Sequence, residues 1–299
     1  MKQAVVTGGA GFIGSHLTEE LAARGYRVII LDNLSTGRIE NIRGILVHPP
    51  KDGAVQLVQE SVTDLPLLQK IFRGTDFVFH LAAIASVPAS MQDPLASHDV
   101  NLTGTLNVLQ AARDTGVKKV VGISSSAVYG DTATLPHRED MVPIPKSPYA
   151  VTKLAGEYYC RVFLEAFGLP TACLRLFNIY GPRQDPTSQY AAVIPIFLHA
   201  VLAGKPPVIF GSGQQTRDFL FVKDAVAAAV LAAESDATGI YNIGSGKTVT
   251  INELAGIILK IIGKDIEPVH QDIRAGDIEH SRADINRASS FGFRPEYSL

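Results

Sequence analysis

Gln3-Ala-Val-Val-Thr-Gly-Gly-Ala-Gly-Phe-Ile-Gly14 decides the fold of this chain. A short apolar, β-branched run, Gln3–Thr7, enters a turn carrying Gly8, Gly11 and Gly14, and a helical pattern over Ile13–Arg24 follows at once. Glycine permits a tight turn and a close approach of backbone to a ligand. The first turn of the helix behind it offers unpaired N–H groups and a partial positive charge to an anion. Strand, glycine turn and helix in this order read as a pyrophosphate cradle. The next strand pattern, Arg27–Leu31, runs into Asp32. A carboxylate there accepts hydrogen bonds from an adenosine ribose diol and repels a 2′-phosphate, so NAD rather than NADP is the expected dinucleotide.

Outward from this stretch the alternation continues. Val55–Val58, Phe77–Leu81, Val120–Ser124 and Thr171–Leu176 read as further strands; Leu65–Phe72, Asn101–Thr115 and Tyr149–Phe167 read as helices between them. Such alternation implies a Rossmann-type α/β fold, a doubly wound parallel sheet with helices on both faces. After Leu176 the pattern changes to Gly- and Pro-punctuated segments, which suggests a smaller, mixed C-terminal lobe for substrate. The expected division is a dinucleotide domain over 1–172 and 217–243, where Asp224–Ala233 returns as a helix, and a lobe over 173–216 and 244–299.

The 299 residues are 46% hydrophobic and 19% charged with a net charge of −2, an ordinary globular composition. That balance provides no field for nucleic acid or anionic lipid. Lys118-Lys119 reads as a solvated helix end. No apolar run reaches membrane-spanning length, and no charged leader precedes the first strand, so the cytoplasm is the expected compartment. Cys160 and Cys173 read as buried free thiols. The eight histidines show no metal-ligand spacing, and His80, at a strand end, reads as a packed, hydrogen-bonded residue.

Tyr149 and Lys153 stand four apart, on one face of a predicted helix. A nearby cation favours a phenolate, so Lys153 is expected to lower the Tyr149 pKa. The G-x-x-G-x-x-G spacing, Ser124-Ser-Ser-Ala-Val-Tyr-Gly130 and Tyr149-x-x-x-Lys153 together resemble the extended short-chain dehydrogenase/reductase family, in particular its NAD-dependent nucleotide-sugar 4-epimerases acting on UDP-glucose and UDP-N-acetylglucosamine. The resemblance runs from residue 3 to about residue 290. It implies Ser125, Tyr149 and Lys153 as catalytic residues, with Lys153 also holding the nicotinamide ribose. It implies a cofactor site of Gly8, Gly11, Phe12, Ile13 and Gly14 on the first turn, and of Asp32, Asn33, Ser35 and Gly37 beyond the second strand. Ser61 and Val62, then Leu81, Ala82 and Ala83, follow the next two strands, and Asn101 completes it. The pair Glu60-Ser61 replaces the Gly-Asp by which relatives hold the adenine amine, and Asp64 lies close to it.

For the substrate, the resemblance implies that Asn178, in Leu174-Arg-Leu-Phe-Asn-Ile-Tyr-Gly-Pro182, binds the sugar diphosphate. Val193 is implied to bind substrate, and Phe210, Arg217, Phe219, Arg274 and Asp277 to contact the uridine and its phosphates; two arginine forks suit a diphosphate, while Phe210 and Phe219 suit a core equally well. The position near sugar C2, where a tyrosine crowds out an N-acetyl group, is Ser281 here, so UDP-GlcNAc and UDP-GalNAc are expected to fit beside UDP-Glc and UDP-Gal. Ser86, in the Ser-Val-Pro form of the N-acetyl-tolerant members, is expected near substrate, and Ala85 replaces a lysine of stricter relatives. The implied chemistry is C4 inversion through a 4-keto sugar. A 4,6-dehydratase or decarboxylase on the same scaffold is the alternative, but a dehydratase needs an acid and a base after the hydroxyl residue, where Ser126 and Ala127 stand. A non-enzymatic NAD-sensing protein would need neither the Tyr/Lys pair nor the diphosphate arginines. The family also implies a homodimer paired through helices at about Pro94–Thr115 and Tyr149–Phe167, with Leu102, Leu106, Leu109, Phe163 and Phe167 as candidate contacts that suit a core equally well. Relatives continue into a final helix past the position of Leu299; a shortened chain and a naturally reduced lobe both account for that.

Overall fold

Residues 1–50, 54–185, 192–273 and 278–299 are described by the computed structural model. Six strands, β1 (Gln3–Thr7), β2 (Arg27–Leu31), β3 (Ala54–Val58), β4 (Phe77–His80), β5 (Lys119–Ser125) and β6 (Thr171–Leu176), join Gly239–Ile243 in one sheet. Its order is Gly239–Ile243, β6, β5, β4, β1, β2, β3, with every neighbouring pair parallel. The chain therefore winds outward in both directions from β1. At that reversal the helices on either side diverge and leave a crevice beyond the carboxyl ends of the strands.

The strands are apolar along both faces because both are covered. On one face, Leu17 and Leu21 of the Phe12–Ala23 helix and the alanine-rich Val222–Glu234 helix pack against Val6, Ile30 and Phe79. On the other, Leu68, Val108, Leu109 and Phe163 from three helices pack against Val5, Val78 and Val120. Leu109 and Phe163 thus serve the core, whereas Phe167 is half exposed. A separate core of Ile194, Phe197, Ile209, Phe219, Leu254 and Ile258 holds the smaller lobe. The expected boundaries shift: β6 keeps residues 173–176 in the sheet, Phe219 belongs to the lobe core, and Ala288 and Phe293 pack in the sheet core, so the last segment returns to the larger body.

Two local readings change as well. Lys119 opens β5 and is only 4% exposed, its ammonium donating to Ser235 O at 2.7 Å, so it is no solvated helix end; Lys118 pairs with Asp76 outside. The helix expected from Asn101 begins as a π-helical turn, Asp99–Thr103, before Gly104–Thr115. Cys160 and Cys173 are buried and free. No helix among the described residues is long and apolar enough to cross a membrane.

Candidate active site

A cleft of about 680 Å³ opens at the reversal beside β1. Its first wall is backbone. Gly8 has φ +71°, and a Cβ there would lie 2.7 Å from Ala82 N at the end of β4. At Gly14 a Cβ would lie 2.1 Å from Gly8 O, so the helix can approach the turn this closely only without one. At Gly11 a Cβ would meet only Gly8 O within 4 Å and would otherwise fill the cleft that Gly11 lines. Asp32 closes this wall. Its carboxylate accepts Ala10 N–H and Leu34 N–H, both at 2.9 Å, which leaves lone pairs for a diol. A dinucleotide fits this glycine cradle, helix N-terminus and strand-end carboxylate.

Of the expected cofactor residues, all but Asn101 line the cleft, and Glu60 joins them. Asn101 lies behind the wall. Its Oδ1 accepts Ile84 N–H at 2.7 Å and its amide donates to Ile84 O and Thr152 Oγ1. The π-helical turn delivers it there, and it steadies the Ile84 loop rather than facing a ligand. Asp64 caps the Leu65–Ile71 helix by accepting Leu67 N–H, which accounts for its carboxylate.

The opposite wall is the Pro148–Phe167 helix. Ser147 caps it by accepting Ala150 N–H, Pro148 sets its first turn, and Gly168 ends it in the left-handed region. Ser90 accepts the Tyr149 N–H at 3.1 Å and fixes the helix start against its neighbour. Tyr149 and Lys153 both point into the cleft, and Ser125 reaches it from the end of β5. The electrostatics differ from the expectation. Lys153 donates to Ile123 O at 2.9 Å, with its Nζ 5.9 Å from the Tyr149 ring centre. Burial pushes the Tyr149 phenol up, and the Ser125 hydrogen bond is what pulls it down. Burial lowers Lys153 to about 8, against the pull of Cys173 and Glu157. The ammonium is held by a carbonyl here instead of by the phenol, so the Tyr–Lys coupling is weaker than the four-residue spacing suggests.

Behind the pair, the same helix stripe carries Glu157, which accepts two hydrogen bonds from Arg175 at 2.8 and 2.7 Å and one from Ser124. Arg175 also donates to the Tyr129 hydroxyl at 2.8 Å. This buried network ties helix, β5 and β6 together just below Ser125. His80 bridges Thr7 and Thr105 at 2.8 and 2.9 Å, and burial holds its pKa down to about 3, so it stays neutral as a packed residue.

Asn178, Arg217 and Ser281 line the far end of the cleft. Asn178 donates to Asp218 O, Arg217 donates to Thr216 O and Glu279 O, and Ser281 is only 6% exposed. Other expected substrate residues are placed elsewhere. Phe219 packs in the core of the smaller lobe, 8% exposed, and Val193 packs against that core. Phe210 ends the Val208–Phe210 strand away from the lining. The Ser86 hydroxyl accepts Ala89 N–H as a helix cap, while its neighbours Ala85 and Val87 face the cleft. Arg274 and Asp277 lie outside the described residues. The sequence reading missed Gln184 and Asp185, which line the cleft, and the buried Asp218. Only the last had a signal, a carboxylate between two singled-out positions. Among the described residues no cluster of His, Cys, Asp or Glu is placed to hold a metal ion.

Comparison with known proteins agrees with this geometry. Residues 4–244 match the model of the NAD dependent epimerase/dehydratase family. The UDP-glucose 4-epimerase of Mycolicibacterium smegmatis is 40% identical over 299 residues, 99% of this chain and 94% of that protein. The structure of the UDP-N-acetylglucosamine 4-epimerase from Methanobrevibacter ruminantium, in complex with UDP-N-acetylmuramic acid, superposes with a TM-score of 0.94 at 44% identity, covering 99% of this chain and 93% of that one. The Thermus thermophilus UDP-glucose 4-epimerase in complex with NAD does so at 0.88 and 39% identity, covering 99% and 95%.

Proposed function

From the premise that this chain belongs to the NAD-dependent epimerase/dehydratase family, we propose that it inverts C4 of UDP-hexoses, UDP-Glc/UDP-Gal and also UDP-GlcNAc/UDP-GalNAc. The observation that carries this reading is the meeting of Ser125, Tyr149 and Lys153 with Asn178, Arg217 and Ser281 on one cleft whose other wall is the glycine cradle.

NAD, when bound, would supply the hydride acceptor and donor for inversion at C4. Tyr149 takes the proton of the 4-hydroxyl and later returns it, the phenolate form being favoured, against burial, by the Ser125 hydrogen bond. Ser125 hydrogen-bonds the same oxygen and helps to carry the proton. Lys153, with its pKa at about 8, keeps its charge at neutral pH and holds the nicotinamide ribose. Gly11 and the helix behind it receive the pyrophosphate, and Asp32 the adenosine ribose. Asn178 and Arg217 hold the sugar diphosphate, with Arg274 in the same role, while Asp277, a carboxylate, suits the uridine hydroxyls instead. Ser281 leaves room beside C2 for an N-acetyl group; that the Methanobrevibacter ruminantium enzyme is named for UDP-N-acetylglucosamine supports this part of the reading.

Ser126 and Ala127 line the cleft after Ser125 and provide neither acid nor base, which speaks against dehydration. Pairing of two copies belongs to the same reading. Met91, Leu95, Val151, Tyr158 and Val162 remain exposed on the neighbouring Val87–Gln92, Pro94–His98 and Pro148–Phe167 helices. Incubation with UDP-galactose and NAD is expected to yield UDP-glucose, and UDP-GlcNAc in parallel to yield UDP-GalNAc. A 4-keto-6-deoxy product would move the assignment to a dehydratase.

A further inference from the structure

Among the described residues the chain passes between the sheet body and the smaller lobe at four places, and one residue, Asp218, touches or belongs to each of them. β6 leaves the sheet through Phe177 and Asn178; the chain returns through Asp218 to Leu220, leaves again after Ile243 through Ser245, and comes back through Ala283. Asp218 is fully buried. Its carbonyl accepts the Asn178 side-chain amide at 3.0 Å. Its Oδ1 accepts both the N–H and the hydroxyl of Ser245 at 2.7 Å. Its Oδ2 accepts Gly246 N–H and Ala283 N–H, each at 3.0 Å. A Cβ on Gly244 would sit 2.8 Å from Oδ2, so the backbone is drawn in tightly around the carboxylate.

Three residues assigned above to the sugar nucleotide lie within two positions of these crossings. Asn178 is itself bonded to Asp218, Arg217 precedes it, and Ser281 stands two residues before Ala283. Alternation along an extended segment turns Asp218 inward where Arg217 lines the cleft. We propose that Asp218 is the positioning residue of the substrate site: its carboxylate ties its own crossing to those at Ser245 and Ala283, its backbone carbonyl holds Asn178, and together they set the spacing of Asn178, Arg217 and Ser281. It does not touch the reacting atoms. The glycine cradle and Asp32 belong to the sheet body and do not depend on it. The inference rests on the nucleotide-sugar reading of the cleft.

The test uses the NAD-loaded enzyme and UDP as probe, with bound NAD measured after its release by denaturation. Asp218→Asn keeps the shape but replaces one acceptor oxygen by a donor against N–H groups. Its affinity for UDP is expected to fall about tenfold or more, with bound NAD unchanged; KM for UDP-galactose is expected to rise about as far while kcat stays within about threefold of wild type. Ser245→Ala, a milder change that removes only the hydroxyl contact, is expected to weaken UDP about threefold and serves if the first variant fails to fold. UDP affinity within about twofold of wild type in the folded variants would overturn the assignment. Loss of NAD and kcat in proportion to UDP would overturn it too, as a general fold defect. Wild-type enzyme that binds NAD but no UDP would instead bring down the nucleotide-sugar reading beneath it.

Discussion

The two ends of the cleft are built by different means. At the dinucleotide end the cleft wall is largely backbone, a glycine turn, a helix start and strand ends, with Asp32 the side chain proposed to select the cofactor. At the far end it is side chains, Asn178, Arg217 and Ser281, carried on segments that cross between the lobes. Backbone surfaces accept one ligand shape and fail when atoms are added to them. Surfaces of side chains on a pinned frame change preference one residue at a time. One chain thereby keeps a fixed cofactor and an adjustable substrate.

The largest expected effect lies at the seam between the two ends, where Tyr149 lines the cleft and is proposed to meet both ligands. Tyr149→Phe removes the proton acceptor and leaves both binding surfaces intact. Turnover of UDP-galactose is expected to fall about a thousandfold while bound NAD and UDP affinity stay near wild type. Wild-type turnover would remove Tyr149 from the chemistry; a parallel loss of NAD would show that the seam is part of the cofactor wall.

Next in size is the backbone end. Gly8→Ala places a methyl 2.7 Å from Ala82 N in a left-handed conformation. That conformation alone costs about 1–2 kcal/mol for an L-residue, and the contact requires the β1 and β4 ends to part. NAD affinity, by fluorescence titration, is expected to fall by about one to two orders of magnitude, with UDP affinity little changed. Equal losses of both would break the comparison, since the two ends would then share one surface.

The same contrast explains what the sequence disclosed. The sheet was legible because strand and helix alternate over short windows, and β1 and β2 fall on the residues expected for them. The dinucleotide end was legible because its glycines lie within seven consecutive residues, 8 to 14. The substrate end is assembled from positions 178, 217 and 281, which only the folded crossings bring together. There the resemblance names residues but only the fold gives their directions: Phe219 takes the core alternative and turns into the lobe, and Ser86 caps a helix. Asn101 and Lys119 mislead for a related reason. Their polar ends find backbone carbonyls inside the protein, at Ile84 and Ser235, and no local pattern announces a distant carbonyl. The weaker Tyr149–Lys153 coupling has the same origin, because Ile123 O competes for the ammonium.

The smallest expected effect is the most specific to the side-chain end. Ser281 is buried in the cleft wall, and its N–H donates to Thr216 O at 3.1 Å, so its backbone is fixed and only its side chain is open to change. Ser281→Tyr puts a ring where the proposed N-acetyl group lies. Since the frame around Asp218 holds this segment, the pocket cannot widen freely to receive both. The ratio of kcat/KM for UDP-GlcNAc to that for UDP-galactose is expected to fall about tenfold, with NAD binding unaltered. If both substrates lose equally, Ser281 does not sit beside C2, and the selective surface has to be sought elsewhere along the cleft, with Gln184 and Asp185 the next residues to change.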